Sequence, residues 1–260
     1  MCIHHRIAAV LLLALAAFPA ASAQAATLVL PVTIRDLTPA TNPDFEDVIA
    51  DDRGIVQNTL GADGKPVYAH GANPTVTVHS QTTYDQWYHD TPGVNIPIAQ
   101  SLTLDDAGHP GTYSYSNFSF FPIDGQGFGN YDGTGHNFHF TLEMHTVFTY
   151  QGGETFNFLG DDDVWVFVNK QLALDLGGVH GAEAGSVNLD AMAGALGIST
   201  GNDYNLDFFF AERHTVASEI QVETSLQLRQ VPGVPEPGTK ASVLLGLALL
   251  SGTAVLRRRG

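Results

Sequence analysis

Residues 138–150 alternate apolar and polar side chains almost throughout, and this pattern restricts the fold more than any other in the chain. One face of the alternation holds Phe138, Phe140, Leu142, Met144, Phe148 and Tyr150. The other face holds His139, Thr141, Glu143, His145 and Thr149. Because successive side chains of a strand point to opposite faces, the pattern predicts a half-buried antiparallel strand. Residues 220–228 alternate in the same way and predict a second such strand.

Short apolar segments between these two strands complete an all-β pattern. They are rich in β-branched or aromatic residues and cover residues 155–159, 164–168, 171–176 and 204–213. Asn169 and Lys170 stand where a tight hairpin turn would join two of them. Only residues 189–196, with alanines and no β-branched residue, favour a helix. Many short strands and little helix predict an all-β antiparallel β-sandwich.

The region before residue 136 has weaker signals. Residues 28–34 and 75–78 have strand-like composition, whereas residues 124–135 are rich in glycine. A glycine-rich loop can cradle a phosphate, but no Gly-Lys-Ser/Thr follows here and the surroundings are acidic. We therefore expect residues 124–135 to form a plain connecting loop.

The first 23 residues have the organisation of a secretory signal peptide. Arg6 precedes a short apolar run over residues 7–17, and the segment ends in the small-residue pattern Ala21-Ser22-Ala23. This arrangement predicts cleavage by signal peptidase before Gln24 and export across the inner membrane. The single cysteine, Cys2, lies inside the leader, so the exported body has no thiol and no disulfide.

The last residues, 232–260, form a second targeting segment with three ordered parts. Pro235-Glu236-Pro237 is followed by an apolar stretch over residues 241–256, and the segment then ends in a basic cluster of Arg257, Arg258 and Arg259. Sixteen helical residues cover about 24 Å, which is marginal for a hydrocarbon core of about 30 Å. The basic cluster would stay on the cytoplasmic side of the resulting transmembrane helix.

This tail resembles the PEP-CTERM sorting signal of Gram-negative bacteria. The resemblance implies a transient membrane anchor that an exosortase cuts near Pro-Glu-Pro, so that the mature protein reaches the cell surface or the extracellular matrix. A permanent C-terminal anchor is the alternative.

The charge of the exported body, residues 24–231, excludes one class of partner. It contains six Lys and Arg against 26 Asp and Glu, a formal charge of −20. Such a surface repels nucleic acid and anionic lipid and attracts multivalent cations. We expect no nucleic-acid binding, and membrane contact only through the sorting tail before processing.

The common catalytic patterns are missing from the sequence. It has no His-Glu-x-x-His, Gly-x-Ser-x-Gly or Cys-x-x-Cys motif. His139 and His145 share a strand face but lie about 20 Å apart, so we expect them and His136 to be ordinary solvent-facing residues. A polysaccharide hydrolase with paired carboxylates stays open as an alternative, because sequence does not fix carboxylate separations. We expect a protein that is not an enzyme.

Three consecutive carboxylates, Asp161, Asp162 and Asp163, precede the apolar run over residues 164–168. Ca²⁺ takes six to eight oxygen ligands, and adjacent carboxylates at a strand entrance can supply two or more. The spacing is not that of an EF-hand loop. The residues alone leave a solvated acidic turn and a calcium site open.

Three ordered motifs in this part of the chain resemble the fibro-slime domain of bacterial surface proteins. They are Gly-Asp-Asp-Asp-Val-Trp-Val-Phe-Val-Asn at 160–169, Leu-Asp-Leu-Gly-Gly-Val-His at 174–180 and Phe-Phe-Ala-Glu-Arg-His at 209–214. Asn-Pro-Asp-Phe at 42–45 and the stretch 87–95 also fit, so the resemblance covers roughly residues 30–229 and makes 24–231 one domain.

The resemblance implies a protective-antigen-type, jelly-roll-like sandwich. In such lectins an Asp-Asp pair at this strand entrance, sometimes joined by a cis peptide bond, binds Ca²⁺, and the ion holds two sugar hydroxyls. By position the pair is Asp161 and Asp162. Asp163 stands where glycine is frequent and is a further candidate ligand of the same ion. Further ligands come from a separate loop, for which we expect Asn202 and Asp203.

Other residues of the motifs have competing interpretations. Trp165 is either a core residue, which its alternation with valines favours, or a sugar-stacking platform. His180 either lines the site or lies in a turn, and we expect an Arg213–carboxylate pair to brace the loop after residue 211. The expected function is Ca²⁺-dependent binding of extracellular polysaccharide or glycan. A structural matrix or biofilm protein without sugar binding is the alternative.

Overall fold

The structure is a computed structural model that describes residues 26–231. The expected signal peptide and the expected sorting tail, including Pro235 to Pro237 and the terminal arginines, lie outside the described residues. Within residues 26–231 no helix combines the length and apolar character needed to cross a membrane.

Thirteen strands and two short helices make up the described part. The strands are β1 Thr27–Asp36, β2 Ala50–Asp51, β3 Ile96–His109, β4 Thr112–Asn117, β5 Phe140–Tyr150, β6 Thr155–Asp161, β7 Asp163–Val168, β8 Gln171–Leu176, β9 Gly178–Val179, β10 Glu183–Asn188, β11 Asn202–Glu212, β12 Glu219–Thr224 and β13 Arg229–Gln230. The helices are α1 Gln81–Tyr88 and α2 Leu189–Leu196.

Eleven strands form one antiparallel sheet in the order β10-β6-β12-β4-β3-β1-β5-β11-β7-β8, with β13 added to β5. The two ends of this order approach each other. A Cβ atom on Gly185 of β10 would lie only 2.7 Å from Leu174 Cδ1 of β8. The sheet therefore folds back on itself into two layers, and the predicted all-β antiparallel sandwich is confirmed.

Two hydrophobic clusters lie on opposite faces of the central strands. The inner cluster, between the layers, takes Val164, Val166 and Val168 of β7. The outer cluster takes Trp165 and Phe167 of the same strand and is covered by residues 37–88. Because β7 is buried on both faces, its sequence is an unbroken apolar run rather than an alternating one.

The turn between β7 and β8 confirms the predicted hairpin. Asn169 and Lys170 have φ of 52° and 65°, and Val168 pairs with Gln171. Positive φ at both central residues is typical of the two-residue turns that suit strand twist. The predicted helix over 189–196 and the predicted loop over 124–135 are confirmed as well.

The N-terminal half departs from the predictions at three elements. Helix α1 was not expected because two threonines and three aromatic residues give its eight residues a low helix propensity. Its N-cap is Ser80, and it buries Tyr84, Trp87 and Tyr88 against the outer cluster. The expected strand at 75–78 is wrong, since Thr75 N donates to Val78 O in a turn (2.9 Å). The long hairpin of β3 and β4 was missed, although residues 96–104 alternate in sequence and in burial and Tyr113 and Tyr115 alternate with small polar residues.

The prediction that His139 faces solvent is also wrong. Its side chain is buried, and Nε2 lies 2.9 Å from Glu46 Oε2. His145 is half-buried and contacts Glu143 and Asp207. The residues that cover the outer face supply Glu46 and enclose Glu143 and Asp207. The alternation of a strand does not reveal such long-range contacts.

Candidate functional site

The three consecutive aspartates lie where β6 ends and β7 begins. Asp161 is the last residue of β6 and Asp163 the first of β7, and the Asp161–Asp162 peptide bond is cis. All three residues are buried, with 6%, 4% and 0% relative exposure. They are therefore not a solvated acidic turn, and their charges need partners inside the protein or a cation.

Asp163 is fully paired with Arg213. Arg213 Nε donates to Asp163 Oδ2 (2.6 Å), and Nη2 donates to Oδ1 (3.1 Å). Gly178 N donates to Oδ1 as well (2.7 Å). The prediction of Asp163 as a metal ligand is wrong, because the bidentate pair with Arg213 already neutralises its charge and the residue has no exposed surface. The predicted bracing role of Arg213 is confirmed, with Asp163 as the carboxylate.

Asp162 accepts two backbone hydrogen bonds from separate loops. His180 N donates to Oδ1 and Arg213 N to Oδ2, each at 3.0 Å. Burial raises the pKa of Asp162 to about 7, against the opposing charge of Arg213. Asp162 thus joins the loop after β9 to the loop after β11, and its charged form is only partly compensated.

Asp161 has fewer partners. Glu219 N donates to Asp161 Oδ1 (2.7 Å). Burial raises the pKa of this carboxyl, and the backbone hydrogen bond from Glu219 opposes the rise. One carboxylate oxygen of Asp161 therefore remains for a further ligand.

Glu212, the last residue of β11, adds a fourth carboxylate to the cluster. It is fully buried, and neither of its carboxylate oxygens has a hydrogen-bond partner of good geometry among residues 26–231. Burial and the nearby charges of Asp162 and Asp161 raise its pKa well above the ordinary value. The Ser218 hydroxyl and the His214 backbone amide act in the opposite direction. A buried carboxyl group with such weak partners is costly to ionise, so it either holds a proton or faces a cation.

The cluster as a whole has more acidic than basic groups. Asp161, Asp162, Asp163 and Glu212 stand against the single buried cation Arg213, which Asp163 already neutralises. Among residues 26–231, however, no three His, Cys, Asp or Glu side chains are grouped as a complete metal site. Side chains of this cluster can thus supply only part of a Ca²⁺ shell, which routinely includes backbone carbonyls and water.

The aspartate pair faces an opening of about 170 Å³, which we call the acidic opening. It is lined by Asp161, Asp162, Val179, His180, Gly181, Ile49 and residues 214–217. His180 belongs to this wall, as one interpretation expected. Its ring nitrogens lie near Gly181 O (2.9 Å) and Leu176 O (3.2 Å), so the ring is held by backbone.

Trp165 is not a sugar-stacking platform. Its side chain is completely buried in the outer cluster, 6.0 Å from the ring centre of Tyr84, and Nε1 donates to Asp175 Oδ1 (2.9 Å). The prediction of Trp165 as a ligand-binding residue is wrong, and the core interpretation that alternation favoured is confirmed.

Asn202 and Asp203 lie at the far end of β11 from the aspartate pair. Asn202 pairs with Tyr150, whereas Ala211 of the same strand pairs with Asp163. The eight residue steps from Asp203 to Ala211 span about 26 Å of extended chain. Their prediction as ligands of the same ion is wrong; Asp203 instead contacts Arg229 at 2.8 Å.

Glu212 and the loop after it are the parts of the site that sequence reasoning missed. Their signal is the charged triplet Glu212-Arg213-His214 directly after the apolar run over residues 208–211, since the end of such a run is expected to be buried.

Comparison with protein-family models matches residues 130–237 to the PA14 domain. Among curated proteins, the chain is 48% identical to protein psiR of Dictyostelium discoideum over 218 residues, 78% of this chain and 22% of that protein. It is 46% identical to protein psiQ of the same organism over 82% of this chain and 22% of psiQ. The chain thus spans about a fifth of the length of these relatives.

Solved structures show a more distant likeness. The PA14 sugar-binding domain from an RTX adhesin aligns with a TM-score of 0.31 and 10% identity, over 69% of this chain and 92% of that domain. The PA14 domain of the MpAFP antifreeze protein aligns with a TM-score of 0.28 and 12% identity, over 50% and 72% of the two chains. Residues 130–237, less than half of this chain, are thus similar to the PA14 domain.

Proposed function

We propose that this protein is a non-catalytic carbohydrate-binding module in which Ca²⁺ at Asp161 and Asp162 holds the sugar. The observation that carries the proposal is the excess of buried carboxylates at the acidic opening, where Arg213 is already consumed by Asp163. A hard divalent cation is the natural counter-charge for oxygen ligands of this kind. PA14 domains also occur in carbohydrate-binding adhesins, which favours binding over catalysis.

Asp161 and Asp162 would hold the ion, and Glu212 lies next to both. When bound, Ca²⁺ would supply open coordination positions for two sugar hydroxyl oxygens. The chain's own contribution is to fix the two carboxylates from three directions, through the backbone amides of His180, Arg213 and Glu219. A pair that is fixed before the ligand arrives loses little entropy on binding.

We further propose that the protein acts outside the cell. The leader at 1–23 and the tail at 232–260 support export across the inner membrane of a Gram-negative bacterium, followed by exosortase processing and display at the cell surface or in extracellular polymer. Its partners there would be extracellular polysaccharides or other glycans. The fibro-slime relationship belongs to the same proposal.

Calorimetric titration of the full chain with Ca²⁺ tests the metal site. Asp161→Asn keeps the size of the side chain and its acceptor for Glu219 N but removes one charge, so we expect at least about a tenfold loss of Ca²⁺ affinity. The matched control is Asp203→Asn, an exposed aspartate at the other end of the sheet, which should leave the affinity unchanged. Equal Ca²⁺ binding by wild type and Asp161→Asn would remove the proposed site.

A further inference from the structure

A second, larger depression adjoins the acidic opening, and we call it the aromatic groove. It has a volume of about 570 Å³. Its apolar and aromatic lining includes Phe118, Phe121, His136, Phe138 and Val216. The two depressions share Thr215, Val216 and Ala217, so one surface loop forms a wall of both.

The size of the acidic opening indicates that a ligand held there extends beyond it. At about 170 Å³ the acidic opening is smaller than the roughly 300–1,000 Å³ that is usual for small-molecule sites. The aromatic groove falls inside that range. A ligand anchored at the aspartate pair would gain most of its contact area from the groove.

Two large apolar residues of the groove are exposed to solvent. The Phe118 side chain is 71% exposed and Val216 is 89% exposed, the two largest values among the exposed large hydrophobic residues of the described chain. Ile49, on the opposite wall of the acidic opening, is 65% exposed. Adjacent exposed apolar side chains around a polar centre are typical of a binding surface.

Hydrogen bonds fix both loops of the groove. Thr215 N and Oγ1 donate to the two carboxylate oxygens of Glu46, at 3.1 and 2.7 Å. Phe120 N donates to Ser218 O (2.9 Å), which joins the Phe118 loop to the same segment. The Phe121 ring stacks on the His136 ring with 4.0 Å between centroids. The groove is therefore formed before any ligand binds.

We infer that the aromatic groove is a second subsite for a neutral oligosaccharide of at least two sugar residues, whose first residue sits at the acidic opening. This inference rests on the proposed function. The apolar C–H face of a pyranose ring suits the exposed face of Phe118, as aromatic rings at binding sites pack on apolar surface. None of the described lining residues is Asp, Glu, Lys or Arg, and the ring of His136 already contacts Asp124 (2.6 Å), so the groove offers no unpaired charge for an ionised sugar.

The test compares sugars of increasing length with Phe118→Ala. The probes are methyl glycosides of neutral hexoses and 6-deoxyhexoses and their di- and trisaccharides, titrated into the full chain with Ca²⁺. We expect the dissociation constant of an oligosaccharide that binds to be at least about tenfold lower than that of its terminal monosaccharide. Phe118→Ala should abolish that difference and leave monosaccharide and Ca²⁺ binding unchanged.

The matched control is Phe128→Ala, a 42% exposed phenylalanine that lies outside the groove. If Phe118→Ala binds the oligosaccharide as the control does, the subsite is overturned while Ca²⁺-dependent sugar binding stands. If Phe118→Ala instead abolishes a dimer detected by light scattering and leaves sugar affinity unchanged, a second copy of the chain is the occupant and the inference fails. If wild type binds no sugar with Ca²⁺ present, the proposed function fails together with the subsite.

Discussion

Three adjacent aspartates at the start of β7 differ in what surrounds their carboxylates. Asp163 is held by the Arg213 guanidinium, whereas Asp162 accepts backbone amides and Asp161 keeps one oxygen free of protein donors. The sequence shows that all three lie at one strand entrance, but it does not show that their carboxylates have different partners. That difference depends on Arg213, which is fifty residues away in the chain and reaches Asp163 only because β7 and β11 are paired.

Removing Arg213 should destabilise the protein strongly. Arg213→Met leaves Asp163 buried without its counter-charge, and breaking a buried pair in this way costs about 3–5 kcal/mol. The free energy of unfolding by urea measures the loss. The control is Arg229→Met, which breaks an exposed pair with Asp203 and should cost at most about 1 kcal/mol. Similar losses for the two variants would contradict the structural role of Arg213.

At the scale of elements, the outer face of the sheet is where sequence reasoning was weakest. Strand β5 was recognised from its alternation, but its polar face was expected to meet water. Residues 37–95 cover much of that face, so Glu143 is buried and bonded to Arg35 (2.7 Å) and to Lys65. Burial acts to raise the pKa of Glu143, but His145, Arg35 and Lys65 outweigh it and lower the pKa to about 2.

His145 is predicted to stabilise the fold in a defined pH range. Burial acts to lower its pKa, but hydrogen bonds to Asp207 and Glu143 outweigh burial and raise the pKa to about 9. A folded-state pKa above the unfolded value of about 6.5 gives stability that is complete below pH ~6.5 and is lost as pH rises through 9. Glu143 stays ionised across that range.

His145→Gln should therefore destabilise the protein at pH ~6 by about 1–2 kcal/mol, a value reduced for the partial exposure of the side chain. Near pH ~10 the difference in the free energy of unfolding between His145→Gln and wild type should shrink towards zero. At that pH His145 is neutral in both the folded and the unfolded state. Urea unfolding at the two pH values measures both. His89→Gln, at an exposed pair with Asp63, is the control and should change stability by less than about 0.5 kcal/mol. An equal effect of His145→Gln at both pH values would contradict the assignment.

For the whole molecule, the all-β architecture was predictable because local alternation reports directly on strand faces. The composition of the site was predictable only in part. Asp161, Asp162 and His180 meet at one opening as the sequence motifs implied, whereas Asn202 and Asp203 are separated from them by the length of β11. Strand register and the folding of residues 37–95 over the outer face are long-range properties, and neither is encoded in the spacing of nearby residues.

The two depressions lie at one end of the sandwich, in a part of the chain, residues 24–231, that has a formal charge of −20. We propose that a cation neutralises the buried aspartates and that the ion, together with the aromatic groove, binds a neutral glycan. Without the ion, the opening would lack the coordination positions that hold sugar hydroxyl oxygens in this proposal.

Retention of the full chain on immobilised neutral glycans, with Ca²⁺ and then with a chelator, tests this account most directly. We expect retention of wild type and Asp203→Asn in Ca²⁺, release of both by the chelator, and no retention of Asp161→Asn under either condition. Retention that persists in the chelator, or that Asp161→Asn shares with wild type, would contradict Ca²⁺-dependent glycan binding at the aspartate pair.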